Sequence, residues 1–234
     1  MKTIYVNGGK GGVGKSLIVK LCIEYFNKQK INPYVVDGDI QQDILNSCDT
    51  GNKTKNNIAG VEFINLRDEA GNDWNFLIDY IQKREKEKGV IIVNSPAGEN
   101  DNMLNFGAAL DEVKDLTILF AFVNDYVCRI NLQDQIETTS KPICVVLNKM
   151  FSNSMRITEF DKFKDIVPNV TLGMCPQPYR EHIINNNLLY SEVEDAKKMP
   201  KTIKLMGSKW LRESVPVIGE AIKLAAVVDP KKMK

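Results

Sequence analysis

The sequence predicts an α/β fold of the doubly wound type, with a mostly parallel β-sheet. Short apolar runs rich in valine and isoleucine alternate along the chain with longer segments of helical spacing. These runs are continuously apolar, as in strands buried on both faces of a sheet. With 234 residues, 43% of them hydrophobic, the chain can bury one substantial core, and we expect a single domain over residues 1 to 234.

Each element follows from this pattern in turn. The first predicted strand, residues 3 to 6, leads through a glycine-rich loop into an amphipathic helix over residues 17 to 28. Further strands are predicted at residues 33 to 39, 90 to 94, 116 to 123, 142 to 148 and 170 to 174. Helices are predicted at residues 73 to 88, 126 to 138, 156 to 166 and 208 to 227, the last with a kink or break at Pro216. The polar residues 48 to 57 predict a mobile loop.

The loop after the first strand has the composition of a phosphate-binding site. Residues 9 to 16 read GKGGVGKS, which satisfies the P-loop pattern G-x-x-x-x-G-K-[ST]. Lys15 is predicted to reach the β- and γ-phosphates, and Ser16 to place its hydroxyl on Mg²⁺. Glycines let the backbone N–H groups of such a loop converge on a polyphosphate. The residues predicted to bind it in this way are Gly9, Gly11, Gly12, Val13 and Gly14.

Polar residues follow two of the predicted strands, at the edge where such sheets bind ligands. The second strand ends in VVDGDIQQD, so that Asp37 and Asp39 could reach the magnesium shell and an attacking water. An acidic turn without such a role is the alternative. The third strand ends in Asn94, where most P-loop enzymes carry an aspartate that holds magnesium through water. The predicted metal site comprises Ser16, Asp37, Asp39 and Asn94.

Together these stretches resemble the ParA/MinD family of deviant Walker A ATPases. In GKGGVGKS the second lysine, Lys10, stands at the position that marks the family. DGDIQQD resembles the D-x-D-x-Q of its switch I, and VIIVNSPAG resembles its switch II, which usually carries D-[ST]-P. The motifs occur in the family's order. The resemblance implies the P-loop NTPase fold, ATP and Mg²⁺ as cofactors, and the compact type without an N-terminal helix-turn-helix.

The resemblance also implies a mechanism. In this family two subunits enclose two ATP molecules, the signature lysine of each subunit reaches the partner's phosphates, and hydrolysis releases the dimer. Lys10 is then a clamp between subunits, unless it merely adds local positive potential, and Lys15 acts within its own subunit. Asp39 is expected to orient the attacking water, so the predicted catalytic residues are Lys10, Lys15 and Asp39. Asn94 removes a charge from the magnesium environment, which predicts slow turnover.

The end of a later strand bears on the base that is bound. In VVLNKMF, Asn148 and Lys149 stand where GTPases carry N-K-x-D, but the fourth position is Phe151. The carboxylate that would accept hydrogen bonds from guanine is missing, which favours adenine. By resemblance, Asn148 and the CPQP loop around Pro176 lie near the base. An asparagine that only caps the strand is the alternative for Asn148.

Charge is unevenly distributed along the chain. Residues 197 to 234 contain ten lysines or arginines and three acidic residues, a net charge of +7; because the whole chain carries +1, the remainder carries −6. Such a segment could hold the DNA backbone without reading its sequence, as ParA-like proteins do on the nucleoid. A solvated basic surface without a partner is the alternative. Membrane binding is disfavoured, because the final residues DPKKMK lack an apolar face.

The remaining features bear on location and partners. The five cysteines are scattered and include no C-x-x-C pair, so neither a disulfide framework nor a zinc or iron–sulfur site is predicted. No apolar run approaches the ~18 residues that span a bilayer, and the chain enters a strand without a signal-peptide core. We therefore expect a cytoplasmic bacterial or archaeal protein, near the nucleoid, which dimerises with ATP and relies on an adaptor or stimulating protein for specific DNA recognition.

Two other functions fit the same scaffold. The first is a small-molecule ligase similar to dethiobiotin synthetase, for which a substrate pocket with clustered basic or nucleophilic groups is expected. The second is a nucleotide-binding scaffold with little turnover, which Asn94 favours. His182, the sole histidine, is predicted to be structural. The leading prediction is an ATP-driven dimerisation switch in DNA segregation, positioning or transfer.

Overall fold

The computed structural model describes residues 1–49, 57–66, 72–97, 107–149, 156–193 and 199–233. Its strands are β1 Lys2–Asn7, β2 Tyr34–Asp37, β3 Gly60–Phe63, β4 Val90–Asn94, β5 Leu116–Phe122, β6 Ile143–Asn148 and β7 Asn169–Leu172. Its α-helices are α1 Lys15–Lys28, α2 Asp43–Cys48, α3 Asn72–Lys83, α4 Tyr126–Thr138, α5 Gln177–Asn185 and α6 Lys201–Ala226. Short 3₁₀ segments lie at Gly107–Glu112, Thr158–Phe160, Tyr190–Val193 and Pro230–Lys232.

The seven strands form one sheet in the order β3-β2-β4-β1-β5-β6-β7. Every pairing in it is parallel. Strand β1 lies between β4 and β5, so the strand order reverses beside β1 and opens a crevice at the carboxyl ends of the strands. The predicted α/β class and parallel sheet are confirmed, and this topology brings the ends of β1, β2, β4 and β6 to one edge.

The core lies between the sheet and its helices. Strands β4, β5 and β6 are buried along their whole length, as continuous apolar runs predict. Helix α1 packs against α6, which also covers β5, β6 and β7. The β1–α1–β2 and β5–α4–β6 connections run in opposite directions along the sheet. Because such connections are right-handed, α1 and α4 lie on opposite faces.

Most predicted elements are confirmed, with shifted ends. Helix α3 ends at Lys83, before most of the charged residues that were included in it. Helix α6 starts at Lys201 and is continuous through Pro216, so of the expected kink or break at this residue the break does not occur. Three short elements, β3, α2 and α5, were not predicted. The expected mobile loop at residues 48 to 57 lies mostly outside the described residues.

The predicted helix at residues 156 to 166 is wrong. Only a 3₁₀ segment, Thr158–Phe160, and further turns occur there. The buried side chains Ile157, Phe160 and Phe163 recur every three residues. This spacing suits the three residues per turn of a 3₁₀ helix, because side chains three apart then point to the same side. An α-helix would turn them progressively away from the core.

Candidate functional site

The glycine-rich loop between β1 and α1 depends on backbone conformations that favour glycine. Gly9, Gly12 and Gly14 have φ angles of 55°, 77° and 98°. A Cβ atom on Gly14 would lie 2.3 Å from Nδ2 of Asn148, closer than such atoms can approach. The loop therefore needs glycine at position 14 for both its φ angle and its contact with the end of β6.

The N-terminus of helix α1 lies at the edge of the sheet, and no side chain caps it. Gly14 is the N-cap residue, and it supplies no side-chain acceptor to the first turn. The first turn also contains no acidic residue. The first N–H groups of a helix have no acceptor within the helix, and its dipole is positive at that end. Such an end favours an anion, and a phosphate group is the typical case.

Asn7, at the end of β1, connects the glycine-rich loop with two other segments. Its Oδ1 accepts hydrogen bonds from the backbone N–H groups of Gly8 at 2.7 Å and Gly9 at 3.3 Å, and from the Ser95 hydroxyl at 3.0 Å. Its Nδ2 donates to Oε1 of Gln135, on α4, at 2.6 Å. Asn7 is buried, and it thus fixes the loop relative to α4 and to the segment that follows β4.

The two lysines of the loop have different environments. Lys15 is buried, and its Nζ donates to the backbone carbonyl of Lys10 at 2.9 Å. Lys10 is partly exposed, and its Nζ lies 2.5 Å from Oδ2 of Asp125 within the same chain. Asp125 also caps α4 by accepting from the N–H groups of Val127 and Cys128. Their hydrogen bond raises the pKa of Lys10 and lowers that of Asp125, so the ion pair is charged at neutral pH.

Asp37 and Asn94 lie together at the ends of β2 and β4. Oδ2 of Asp37 accepts from the backbone N–H groups of Ile44 and Leu45 at 2.9 Å each, so Asp37 anchors α2. Its Oδ1 accepts from the N–H of Asp39 at 3.2 Å and from Nδ2 of Asn94 at 2.9 Å. Four donors therefore occupy this carboxylate, which is completely buried.

The Asp37–Asn94 pair has two electrostatic consequences. Burial raises the pKa of Asp37 above its usual value, although all four hydrogen bonds oppose that change. Asn94 is itself buried, and its Oδ1 has no hydrogen-bond partner among the described residues. A buried acceptor without a partner costs free energy, and it suits a water molecule or a cation. Within the described ranges, no three His, Cys, Asp or Glu side chains cluster as a metal site.

A cavity of about 500 Å³ opens at this edge of the sheet. Of the predicted site residues, it is lined by Gly11, Gly12, Gly14, Lys15, Ser16, Asp39 and Asn148. Other walls come from α1, from α2 and from α5 with the chain that follows it. The additional lining residues include Lys20, Asp43, Ser47, Ala97, Cys175, Arg180 and Glu181.

Part of the cavity wall comes from the end of β6 and from α5. Nδ2 of Asn148 donates to the carbonyl of Val13 at 2.9 Å, so this side chain supports the glycine-rich loop. Pro176 precedes α5, and its carbonyl accepts from the N–H groups of Tyr179 and Arg180. The structure thus brings Asn148 to the phosphate loop. The proximity of Asn148 and Pro176 to a base stays a prediction.

Sequence reasoning missed several residues that shape this site. Asp125 and Asn7 each contact the loop, and Lys20 and Arg180 line the cavity. The N-D-Y sequence after β5 has the form of a helix N-cap, which could have identified Asp125. Arg180 follows the CPQP motif, and the proline after Pro176 could have indicated a helix start. Nothing local in the sequence indicates that Lys20 lines a cavity.

Of the helices in the described ranges, none is both long and apolar enough to cross a membrane.

No protein-family model matches the sequence, and no curated protein matches it. Solved structures match it over nearly its whole length. The septum site-determining protein MinD of Pyrococcus horikoshii OT3, complexed with Mg-ADP, has a TM-score of 0.66 at 14% identity and covers 97% of this chain and 98% of its own. A protein assigned to plasmid partition in Borrelia burgdorferi B31, bound to AMPPNP, has a TM-score of 0.65 at 16% identity, covering 97% and 99%. A ParA family ATPase of Chlorobium tepidum TLS has a TM-score of 0.61 at 17% identity, covering 92% and 97%.

Proposed function

We propose that this chain, which has the fold of the ParA and MinD ATPases, is an ATP-binding and slowly hydrolysing dimerisation switch. The observation that carries the proposal is the cavity at the sheet edge. Its walls combine the P-loop glycines, the start of α1, Lys15 and Ser16. Such a site recognises a polyphosphate through backbone N–H groups and one buried ammonium group.

Lys15 is proposed to bind the phosphates of the nucleotide in its own subunit. Its ammonium group carries three protons, and it donates to the carbonyl of Lys10 in the same loop. Because Lys15 is buried, its charge is poorly screened by solvent and acts strongly on a nearby anion. The N-terminus of α1 adds a second source of positive potential.

The residues present fit a magnesium ion beside the phosphates. Ser16 and Asp39 both line the cavity, and they offer the oxygen ligands that magnesium prefers. Asn94 adds a buried oxygen with no partner in the described ranges. When bound, the ion neutralises charge on the β- and γ-phosphates. The four donors on Asp37 fit a residue that positions α2 and Asn94 better than one that binds the ion itself.

Lys10 is proposed to act between subunits. It is partly exposed at the mouth of the site, and its ion pair with Asp125 is accessible to solvent. A solvent-accessible pair of this kind is weak and can be exchanged for another anion. We propose that Lys10 leaves Asp125 for the phosphates of a partner subunit, so that the γ-phosphate favours the dimer and its loss reverses the change.

Asp39 is proposed to orient the attacking water. We predict that Asp39→Ala still binds ATP but hydrolyses it at least tenfold more slowly, because water positioning acts on the transition state. Phosphate release and binding of a fluorescent ATP analogue measure the two effects. Asp115→Ala is the matched control, since Asp115 is exposed and precedes β5 at the opposite edge. Hydrolysis at the wild-type rate by Asp39→Ala would remove Asp39 from this role.

The proposed process is DNA segregation, positioning or transfer in the cytoplasm, at the nucleoid. It is supported by the basic side chains that α6 exposes, among them Lys201, Lys209 and Arg212. Such a surface binds phosphate backbones without reading their sequence. An adaptor or stimulating protein is proposed to supply the specific DNA recognition.

A small-molecule ligase is the second candidate, and one observation favours it. The cavity continues past the phosphate loop to Lys20 and Arg180, which are the kind of basic groups that an anionic substrate needs. A protein that binds ATP but stays monomeric with every nucleotide would favour this candidate over the switch.

A further inference from the structure

The amino-terminal half of α6 exposes two apolar side chains, Leu205 at 71% and Met206 at 51%. Leu205 lies between Lys201 and Lys209, each of which is exposed and one helical turn away on the same side of the helix. Arg212 follows on this side and is also exposed. These five residues form the Leu205 face of α6, which has an apolar centre and basic side chains at both ends.

The opposite side of this half of α6 is fixed to the rest of the protein. Trp210 is buried, and its Nε1 donates to the carbonyl of Gly173, just after β7, at 2.9 Å. Gly207 is buried too, and a Cβ atom at this position would overlap the ring of Tyr179 on α5. The Leu205 face is therefore presented by a rigid helix, so that little ordering of α6 accompanies the binding of a partner.

Neither DNA nor a lipid bilayer accounts for the composition of this face. Contacts with the DNA backbone are made by cations and hydrogen-bond donors, and they give no reason for a leucine between two lysines. A bilayer takes up a broad apolar stripe, whereas the apolar part of this face consists of Leu205 and Met206. Glu213, which is exposed two turns after Met206, would also meet the anionic headgroups that the lysines attract.

We infer that the Leu205 face binds an acidic amphipathic helix of a partner protein; the inference rests on the proposed function, because it gives the chemistry of the proposed adaptor. Amphipathic helices bind other proteins through apolar side chains that recur at i, i+4 and i+7. Such side chains cover Leu205 and Met206, which are otherwise left in water. The carboxylates beside them meet Lys201, Lys209 and Arg212, so the charges of the two surfaces are complementary.

The acidic helix and DNA then use the same cations. Lys209 and Arg212 belong both to the Leu205 face and to the surface that is proposed to bind DNA. A phosphate backbone needs these cations but not Leu205, whereas the acidic helix needs both. Binding of the partner therefore displaces DNA from α6, and a change at Leu205 separates the two activities.

The experiment measures the fluorescence anisotropy of a labelled synthetic peptide of about 18 residues, long enough to be helical. Its leucines recur at i, i+4 and i+7 with glutamates beside them, and a second peptide carries lysine in place of each glutamate. We expect the wild type to bind the glutamate peptide alone, and Leu205→Ala to bind it at least tenfold more weakly. Val227→Ala is the matched control and should bind like the wild type. Val227 is 81% exposed and follows the end of α6, about 33 Å from Leu205 along the helix.

Duplex DNA provides the second measurement. Leu205→Ala should bind DNA like the wild type, because leucine carries no charge, and equal binding also shows that the variant is folded. The glutamate peptide should displace DNA from the wild type at a concentration at least tenfold lower than from Leu205→Ala.

Three outcomes would overturn the inference. If the wild type binds neither peptide, or binds both equally, no acidic helix is recognised here. If Leu205→Ala binds the glutamate peptide like the wild type, the peptide lies on another surface. If vesicles of phosphatidylglycerol and phosphatidylcholine are bound through Leu205 and the glutamate peptide is not, the face serves a membrane. A wild type that binds the glutamate peptide through Leu205 but forms no dimer with Mg–ATP would support this inference and refute the proposed switch.

Discussion

Lys10 is held within its own subunit by Asp125, so its proposed reach into a partner requires it to leave one carboxylate for a phosphate. The two residues are 115 positions apart in the sequence, and their side chains are 2.5 Å apart in the structure. Both are partly exposed, so solvent and salt weaken the pair. At the scale of single residues, the proposed switch is an exchange of Lys10 between the Asp125 carboxylate and a phosphate of the partner subunit.

Asn94 serves as a hydrogen-bond donor to the carboxylate of Asp37, in addition to its proposed place beside magnesium. Its Nδ2 donates to Asp37 at 2.9 Å, and both side chains are buried. An aspartate at position 94 would set two buried carboxylates against each other, and such a pair cannot easily lose both protons. The resemblance to the ParA/MinD family identified the substitution, whereas the partner that makes the amide useful is visible only in the structure.

We predict that Asn94→Asp lowers the free energy of unfolding by about 1–3 kcal/mol at pH 7, which is the usual cost of leaving a buried polar group unsatisfied. A carboxyl group with a raised pKa in the folded state is destabilising above that pKa, and its effect disappears below the pKa of the unfolded chain. The loss should therefore shrink as the pH falls from 7 towards 4. Urea denaturation across this range measures it, and Mg–ATP should stabilise the variant more than the wild type.

Asn94→Ala is the control for charge. It removes the same donor without adding a carboxylate. Because that donor opposes the rise in the pKa of Asp37, the loss of stability should also shrink towards pH 4, but by less than in Asn94→Asp. If Asn94→Asp is as stable as the wild type at pH 7, the hydrogen bond from Asn94 to Asp37 does not stabilise the fold as proposed.

At the scale of elements, α1 carries a buried polar contact outside the phosphate loop. Glu24 is buried, and one of its oxygens accepts from the N–H of Ser191 at 2.7 Å. One turn earlier, Nζ of Lys20 donates to the carbonyl of Leu188 at 3.0 Å. These two residues attach the chain after α5, one wall of the cavity, to the helix that follows the phosphate loop.

We predict that Glu24→Gln stabilises the protein at neutral pH. Burial raises the pKa of Glu24, although the Ser191 N–H and the Lys28 charge oppose it. A buried glutamate with a raised pKa costs stability once it ionises, and glutamine keeps the acceptor without that cost. The urea midpoint of Glu24→Gln should exceed that of the wild type at pH 7, and the two should converge towards pH 4. Glu112→Gln is a control, since Glu112 is exposed and its urea midpoint should equal that of the wild type. A lower midpoint for Glu24→Gln at pH 7 would contradict the prediction.

Strands were easier to predict than the short helices, and the reason is physical. β4, β5 and β6 are buried on both faces, so their apolar runs are unbroken and can be read locally. β3 has four residues, only partly buried, and forms no such run. α2 has six residues, and its N-cap Gln42 has a φ of 54°, which no capping rule anticipates.

The site was predictable to the extent that its motifs are local. The P-loop lies within eight consecutive residues, and the structure brings most of them to the cavity. The partners of Asn7, Lys10 and Asp37 depend instead on strand order, because Gln135, Asp125 and Asn94 come from distant parts of the chain. A single sequence does not give that order, so these contacts could not be predicted.

At the scale of the whole molecule, the basic surface of α6 predicts salt-dependent DNA binding. We expect the wild type to bind duplex DNA without sequence preference, and the double variant Lys209→Ala/Arg212→Ala to bind it more weakly. If each side chain contacts one phosphate, the slope of log K against log salt should fall in magnitude by about 1.8. Lys86→Ala/Lys88→Ala removes two exposed lysines elsewhere and is the matched control. An equal loss of DNA affinity in both double variants would show that DNA binding depends on net charge alone and not on the surface of α6.

The sheet order brings the candidate functional residues to one edge of the sheet, at the carboxyl ends of the strands. Because β1 lies between β4 and β5, the P-loop, Asn94 and the start of α4 meet at the same end of the sheet. Lys10, which is proposed to act between subunits, therefore lies in the same loop that would hold the nucleotide. Binding of a γ-phosphate can then act on assembly without a signal that crosses the protein.

The most direct test of the switch is the solution mass by light scattering with Mg–ATP, with Mg–ADP and without nucleotide. The wild type should be a dimer with Mg–ATP alone, and Lys10→Ala should bind ATP but stay monomeric. Lys114→Ala, which removes a lysine from an exposed pair with Glu85, should behave like the wild type. A dimer that forms with ADP or without nucleotide, or one that persists in Lys10→Ala, would contradict the account.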